Sequence, residues 1–202
     1  MYGTNKDVFD SDGDTYSDKQ ELVNLYNPAG NAPITLIESG VVKDYENPEN
    51  NYLIHYPTNW TIQTTDDTKQ ETIFTSQSGE FIEVMVLDNE QGLEPTQWFE
   101  QQQLSSRIDE KQVIKTRSGL TGIKSIDRRT VYIFNGDKVY VIIHNTANKK
   151  QIDFDATFEM MTRSLRIQKI KEEPVEEQSE QGTTTTNNES QANGEQQNST
   201  NQ

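Results

Sequence analysis

The stretch Thr130-Val131-Tyr132-Ile133-Phe134-Asn135-Gly136-Asp137-Lys138-Val139-Tyr140-Val141-Ile142-Ile143-His144 decides the fold. Two runs rich in β-branched and aromatic residues flank Asn135-Gly136, the strongest short-range signal for a β-hairpin. In the second run Val139, Val141 and Ile143 share one face, and Tyr140, Ile142 and His144 share the other. Side chains alternate across a strand. Both faces are largely apolar, so this strand reads as central and covered on both sides.

Working outward, residues 52–56 are strand-like and stop at Pro57, and 60–65 form a second extended piece. Runs 72–75 and 81–87 flank Ser76-Gln77-Ser78-Gly79, and 112–116 and 120–126 flank Ser118-Gly119. Glu94-Pro95 opens a helix, because proline suits the first helical position. Its buried face is Trp98 and Phe99, and Leu93 with Trp98 forms a hydrophobic staple. Asp153 is expected to cap a last helix. There Phe154, Phe158, Met161 and Leu165 fall on one helical stripe, which reads as core packing. A short extended end, 164–167, follows. Strands, helix, strands, helix is the order of an antiparallel sheet with helices packed on it, an α+β sandwich. The domain is expected over 50–168. Residues 31–49 read as a linker, from the turn-rich Ala29-Gly30-Asn31-Ala32-Pro33 and Asn47-Pro48-Glu49-Asn50-Asn51, with some strand character over 34–42.

Four groups of residues carry a resemblance. They are Tyr52-Leu53-Ile54-His55-Tyr56-Pro57 with Asn59-Trp60, the Pro95 helix through Phe99, Lys138-Val139-Tyr140, and Phe158 to Leu165 with Arg166-Ile167. In this pattern the domain resembles the PsbP-like fold. That family includes photosystem extrinsic subunits, a Ran-binding protein and many bacterial proteins. The resemblance implies a domain that binds a partner rather than one that catalyses.

A second stretch carries chemistry: Asp10-Ser11-Asp12-Gly13-Asp14-Thr15-Tyr16-Ser17-Asp18-Lys19-Gln20-Glu21. Its acidic residues stand at positions 1, 3, 5, 9 and 12, the ligand spacing of an EF-hand-like calcium loop. Calcium takes about six to eight oxygens. Asp10, Asp12 and Asp14 converge in such a loop, Tyr16 gives its main-chain oxygen, Asp18 binds directly or through water, and Glu21 gives two oxygens. Ser17 with Gln20 is a capping box, so a short helix begins there and carries Glu21 inward. Position 6 prefers glycine but holds Thr15. A β-branched residue at positive φ costs about 1–2 kcal/mol. Calcium binding is therefore expected to be roughly tenfold weaker than in an ideal loop.

Tyr2-Gly3-Thr4-Asn5, the acidic loop and Tyr26-Asn27-Pro28 together resemble the bacterial thrombospondin type 3 calcium-binding repeat over about residues 2–30. The resemblance implies Asp10, Asp12, Asp14, Asp18 and Glu21 as metal ligands. Thr15 for glycine and Lys6 for the usual proline are departures. A single repeat preceded by the end of another implies a fragment of a longer array.

The net charge of −15 is spread evenly. Residues 1–45 hold 3 basic and 8 acidic side chains, 46–168 hold 13 and 18, and 169–202 hold 2 and 7, so each part nets −5. No clustered Lys and Arg invite nucleic acid or an anionic membrane. The chain has no cysteine, which excludes disulfides and thiolate chemistry. No apolar run approaches the ~20 residues that span a bilayer, and Met1-Tyr2-Gly3 leads into polar sequence rather than a signal peptide. Residues 169–202, with Glu172-Glu173-Pro174-Val175-Glu176-Glu177 and a Thr/Asn/Gln/Ser tail, have little to bury and read as disordered.

The two histidines, His55 and His144, have no HxH or HxxxH partner, and there is no GxSxG or P-loop. Asn59-Trp60-Thr61 is a glycosylation sequon within a turn and reads as structural. The expectation is a non-catalytic, calcium-binding extracellular or cell-surface protein, with calcium stiffening a repeat that presents a partner-binding domain. The alternative is a small-ligand receptor or hydrolytic enzyme using a pocket near His55 or His144.

Overall fold

The computed structural model describes residues 1–5, 7–31, 33–104, 112–147 and 153–168. The expected disordered tail, 169–202, lies outside them. The architecture is mostly antiparallel β-sheet with few helices. In chain order the elements are α1 (Asp18–Val23), β1 (Val42–Asn47), β2 (Tyr52–Pro57), β3 (Thr61–Thr64), β4 (Glu71–Thr75), β5 (Phe81–Asp88), α2 (Pro95–Gln101), β6 (Val113–Lys115), β7 (Thr121–Lys124), β8 (Thr130–Asn135), β9 (Lys138–Asn145), α3 (Asp155–Ser164) and β10 (Arg166–Ile167). One sheet has the order β3-β4-β5-β9-β8-β7-β6, and a smaller one the order β1-β2-β10.

The two-faced apolar strand is central. β9 lies between β5 and β8, paired Val84 to Ile142 and Tyr132 to Val141. Its Val139 and Val141 face belongs to a cluster with Trp98 and Phe99 of α2 and Ile123 of β7. The Phe99 ring meets Tyr132 edge-on at 4.8 Å. The opposite face, Tyr140 and Ile142, joins Tyr52 and Ile54 of β2, Phe158 and Met161 of α3, and Leu165 just past its end in the main core. Burying one such large side chain contributes about 1.5–3 kcal/mol. These layers above and below explain why β9 needs no polar face.

The hairpin turn sits one residue later than the Asn135-Gly136 signal suggests. Asn135 pairs with Lys138 inside the ladder, leaving Gly136-Asp137 as the loop. Gly136 has φ 59 at the first central position, a conformation only glycine adopts without steric cost.

The stretch expected as a linker is structured. Residues 42–47 form β1, which pairs with β2 in the register Val42 to Pro57 and Asn47 to Tyr52. Turn residues on either side hid it: Gly40 (φ 72) precedes it, and Asn47 and Asn50 end it by bonding each other and the Thr68 and Lys69 carbonyls. Of the strand character expected over 34–42, only Val42, which opens β1, and a bridge of Thr35 to Tyr26 are realised; 36–40 are turns, although Leu36 is fully buried.

Asp153 does not cap α3. Phe154 takes that place without a side-chain bond, and the Asp153 N–H donates to Glu80 Oε1 at 3.3 Å. Trp60 lies outside β3, in a turn closed by its N–H to the Pro57 carbonyl at 3.0 Å. It is nonetheless buried, with its ring on Phe154 at 5.1 Å. That turn is the place of the sequon.

Candidate metal centre

The acidic loop folds through its own side chains. Asp10 accepts from the N–H groups of Gly13 and Thr15, each at 2.8 Å, and Asp14 accepts from the Tyr16 N–H at 2.9 Å. These bonds curl the chain so that one carboxylate oxygen each of Asp10, Asp12 and Asp14 lies within 4.8 Å of the others. Thr15 sits at φ 84 and Gly13 at φ 78. The strain expected at position 6 is therefore present in the backbone.

The loop leads into α1 through the expected capping box. Ser17 Oγ accepts from the Gln20 N–H, and Gln20 Oε1 accepts from the Ser17 N–H, both at 3.2 Å. The first turn of α1 then carries Glu21 inward. Glu21 is 4% exposed, and neither of its carboxylate oxygens has a hydrogen-bond partner. Asp12 Oδ2 is likewise buried without a partner. Burial pushes the Glu21 carboxyl up to about 7, reinforced by the charges of Asp12, Asp14, Asp18 and Asp10. Burial also raises Asp12, whereas the Thr15 and Gly13 amides hold Asp10 low. An unpaired buried carboxylate costs several kcal/mol. That cost is of the order contributed by burying the next residue, Leu22, in the core.

The expected ligands thus divide. Asp10, Asp12 and Asp14 are brought together, and Asp14 and Glu21 line one cavity of about 260 Å³ with Tyr16, Gln20, Asn24 and Tyr26. Asp18 is outside the triad; its oxygens accept from the Ser11 N–H and Oγ, both at 2.7 Å. Tyr16 is 59% exposed, and its main-chain oxygen is the group that the spacing assigns to the site. Ser11 had no signal in the spacing, since it lies between ligand positions. Arg117 was also unmarked: it donates to the Asn24 carbonyl at 3.5 Å and the Tyr26 hydroxyl at 3.4 Å, with its guanidinium over the Tyr26 ring.

The donor set is entirely oxygen, which suits hard cations, and its loop tolerates the irregular coordination of calcium better than the strict octahedron of magnesium. The orphaned Glu21 and Asp12 oxygens fit such an ion.

Each histidine has a carboxylate partner. His55 Nδ1 lies 2.5 Å from Asp44 Oδ1, and Arg166 holds the other Asp44 oxygen at 3.3 Å. Burial lowers the His55 pKa, against the pull of Asp44. His144 Nε2 meets the fully buried Glu80 at 3.1 Å, and its ring stacks on Phe158 at 5.6 Å.

No protein-family model and no curated protein sequence matches the chain. Two solved structures are similar in outline. The cyanobacterial PsbP (CyanoP) of Synechocystis sp. PCC 6803 is 11% identical, with a TM-score of 0.41, over 68% of this chain and 96% of that one. The Saccharomyces cerevisiae Ran-binding protein Mog1p is 12% identical, with a TM-score of 0.37, over 62% of this chain and 95% of that one. Among the described residues, no helix is long and apolar enough to cross a membrane.

Proposed function

We propose that this is a non-catalytic calcium-binding protein of the cell surface or extracellular space, in which an N-terminal calcium loop of thrombospondin type 3 character is joined to a PsbP-like domain that binds a protein partner. The observation that carries the metal reading is Glu21: a carboxylate buried to 4% exposure, both oxygens unpartnered, beside three converging aspartates. A protein interior does not leave such a group uncompensated without cost, and a divalent cation supplies the compensation. Asp10, Asp12, Asp14, the Tyr16 carbonyl and Glu21 hold the ion, and Asp18 contributes through water. The location follows from the weakness expected of a loop with Thr15 at position 6, since a weak site fills only where calcium is plentiful.

Calorimetric titration of the intact chain and of Asp12→Ala tests the metal reading. Saturable binding to the first and at least tenfold weaker binding to the second is expected. Equal binding by both would move the ion elsewhere.

A further inference from the structure

Glu21 and Leu22 are neighbours on one helical turn, yet they are buried in different places. Glu21 turns its unpartnered oxygens to the acidic loop, whereas Leu22 enters the main core with Tyr2, Phe158 and Met161. The same segment meets α3 elsewhere. α1 packs on α3, Lys19 Nζ reaches Asp155 at 3.2 Å, and the Tyr2 hydroxyl donates to Thr157 Oγ1 at 3.0 Å. Neither sheet contains a described residue before Val42, and a lone bridge joins Tyr26 to Thr35. Releasing residues 1–30 from α3 therefore breaks no sheet ladder. A solvent-open groove of about 1020 Å³ also runs along this segment and α3, bordered by Phe9, Leu22, Phe154, Thr157 and Arg163.

We infer that the ion is the clasp that holds residues 1–30 against α3, so that calcium controls docking of this segment while the two-sheet core stays folded. The inference rests on the calcium reading above. Seating Leu22 also buries the Glu21 charge among aspartates, because a six-residue helix carries both. With the cation bound, the two burials reinforce each other. Without it they oppose each other, and a helix this short does not persist in water alone. Ligand linkage and docking are then one equilibrium.

The test is hydrogen exchange of the full chain, at calcium 100-fold above its Kd and in chelator. The reporting amides are Glu21, Asn24 and Tyr26, which bond the Ser17, Gln20 and Glu21 carbonyls. Their protection is expected to fall about 100-fold on chelation, with β5, β8 and β9 remaining the slowest-exchanging elements. Unchanged protection in a chain that calorimetry shows to bind calcium would overturn the clasp and leave the calcium reading intact. No binding by calorimetry would overturn both. Loss of β5, β8 and β9 together with α1 in chelator would overturn the release of a separate segment. Tyr2→Phe adds an independent arm, since Tyr2 lies outside the acidic loop. Weakening docking by one hydrogen bond lowers calcium affinity about fivefold through reciprocity. Unchanged affinity in this folded variant would overturn the coupling.

Discussion

Replacing Thr15 with glycine isolates the strain in the acidic loop. Thr15 has φ 84, and its N–H donates to Asp10 Oδ2 at 2.8 Å, so the residue cannot leave this conformation without releasing a proposed ligand. A β-branched residue held there costs about 1–2 kcal/mol, and glycine avoids that cost. Glycine also has more freedom to lose on ordering, about 0.5–1 kcal/mol. When the emptied loop relaxes at Thr15 but stays otherwise ordered, the full gain reaches affinity, roughly tenfold. When the emptied loop disorders, the glycine penalty leaves a gain of about two- to fivefold. When the emptied loop keeps its conformation, the gain appears in stability instead, a rise in Tm of about 2–4 °C in chelator. Calorimetric titration of Thr15→Gly beside the parent chain, with a melt of each in chelator, reads all three cases. Unchanged affinity together with an unchanged chelator Tm would refute the argument that this backbone is strained.

Glu21→Gln separates a metal ligand from a packing residue: calcium affinity is expected to fall on the order of 100-fold, while Tm in chelator rises, because the amide carries no charge to bury. A drop in both would make Glu21 structural. Glu83, on β5, is pushed up to about 7 by burial and by the adjacent Glu71. A carboxyl whose folded pKa is raised above its unfolded value contributes stability below the unfolded pKa and loses it as pH rises through about 7. Glu83→Gln should therefore gain on the parent chain between pH 5 and pH 8, on the order of 1 kcal/mol after solvent screening, and melts at the two pH values that differ from the parent by equal amounts would contradict this. Phe99→Ala empties the outer cluster at its centre, at an expected cost of about 3–5 kcal/mol and a Tm lower by ~10 °C; a loss below about 1 kcal/mol would mean that α2 closes over the cavity.

Much of the fold was legible because its strongest signals are local. The strand from Lys138 alternates between two apolar faces, and a strand of that kind has one place in an antiparallel sheet. Trp98-Phe99 behind Pro95 named the helix that covers one of those faces, and the stripe from Phe158 to Leu165 named the helix on the other. β1 was missed because its sequence, Val42-Lys43-Asp44-Tyr45-Glu46-Asn47, is charged at three of six positions and lies at a sheet edge, where tertiary pairing overrides propensity. Asp153 was a reasonable cap by residue type, but its backbone is engaged by Glu80, 73 residues earlier, a contact no local rule contains.

The candidate site divides in the same way. Spacing alone placed Asp10, Asp12 and Asp14 together and the capping box at Ser17, because both depend on residues a few positions apart. What spacing could not show is that Glu21 is nearly sealed from solvent on a helix whose next residue, Leu22, is fixed in the core by the packing of α1 on α3, more than 130 residues further along the chain. That long-range contact changes the meaning of the acidic loop. The four aspartates of the loop are each half-buried, and water still reaches and tolerates them. A fifth carboxylate, held out of water because the next residue belongs to the core, is not tolerated in that way. On the calcium reading proposed above, the packing of Leu22 therefore matters as much as the aspartates, and a substitution that loosens that packing should weaken calcium binding without touching a ligand.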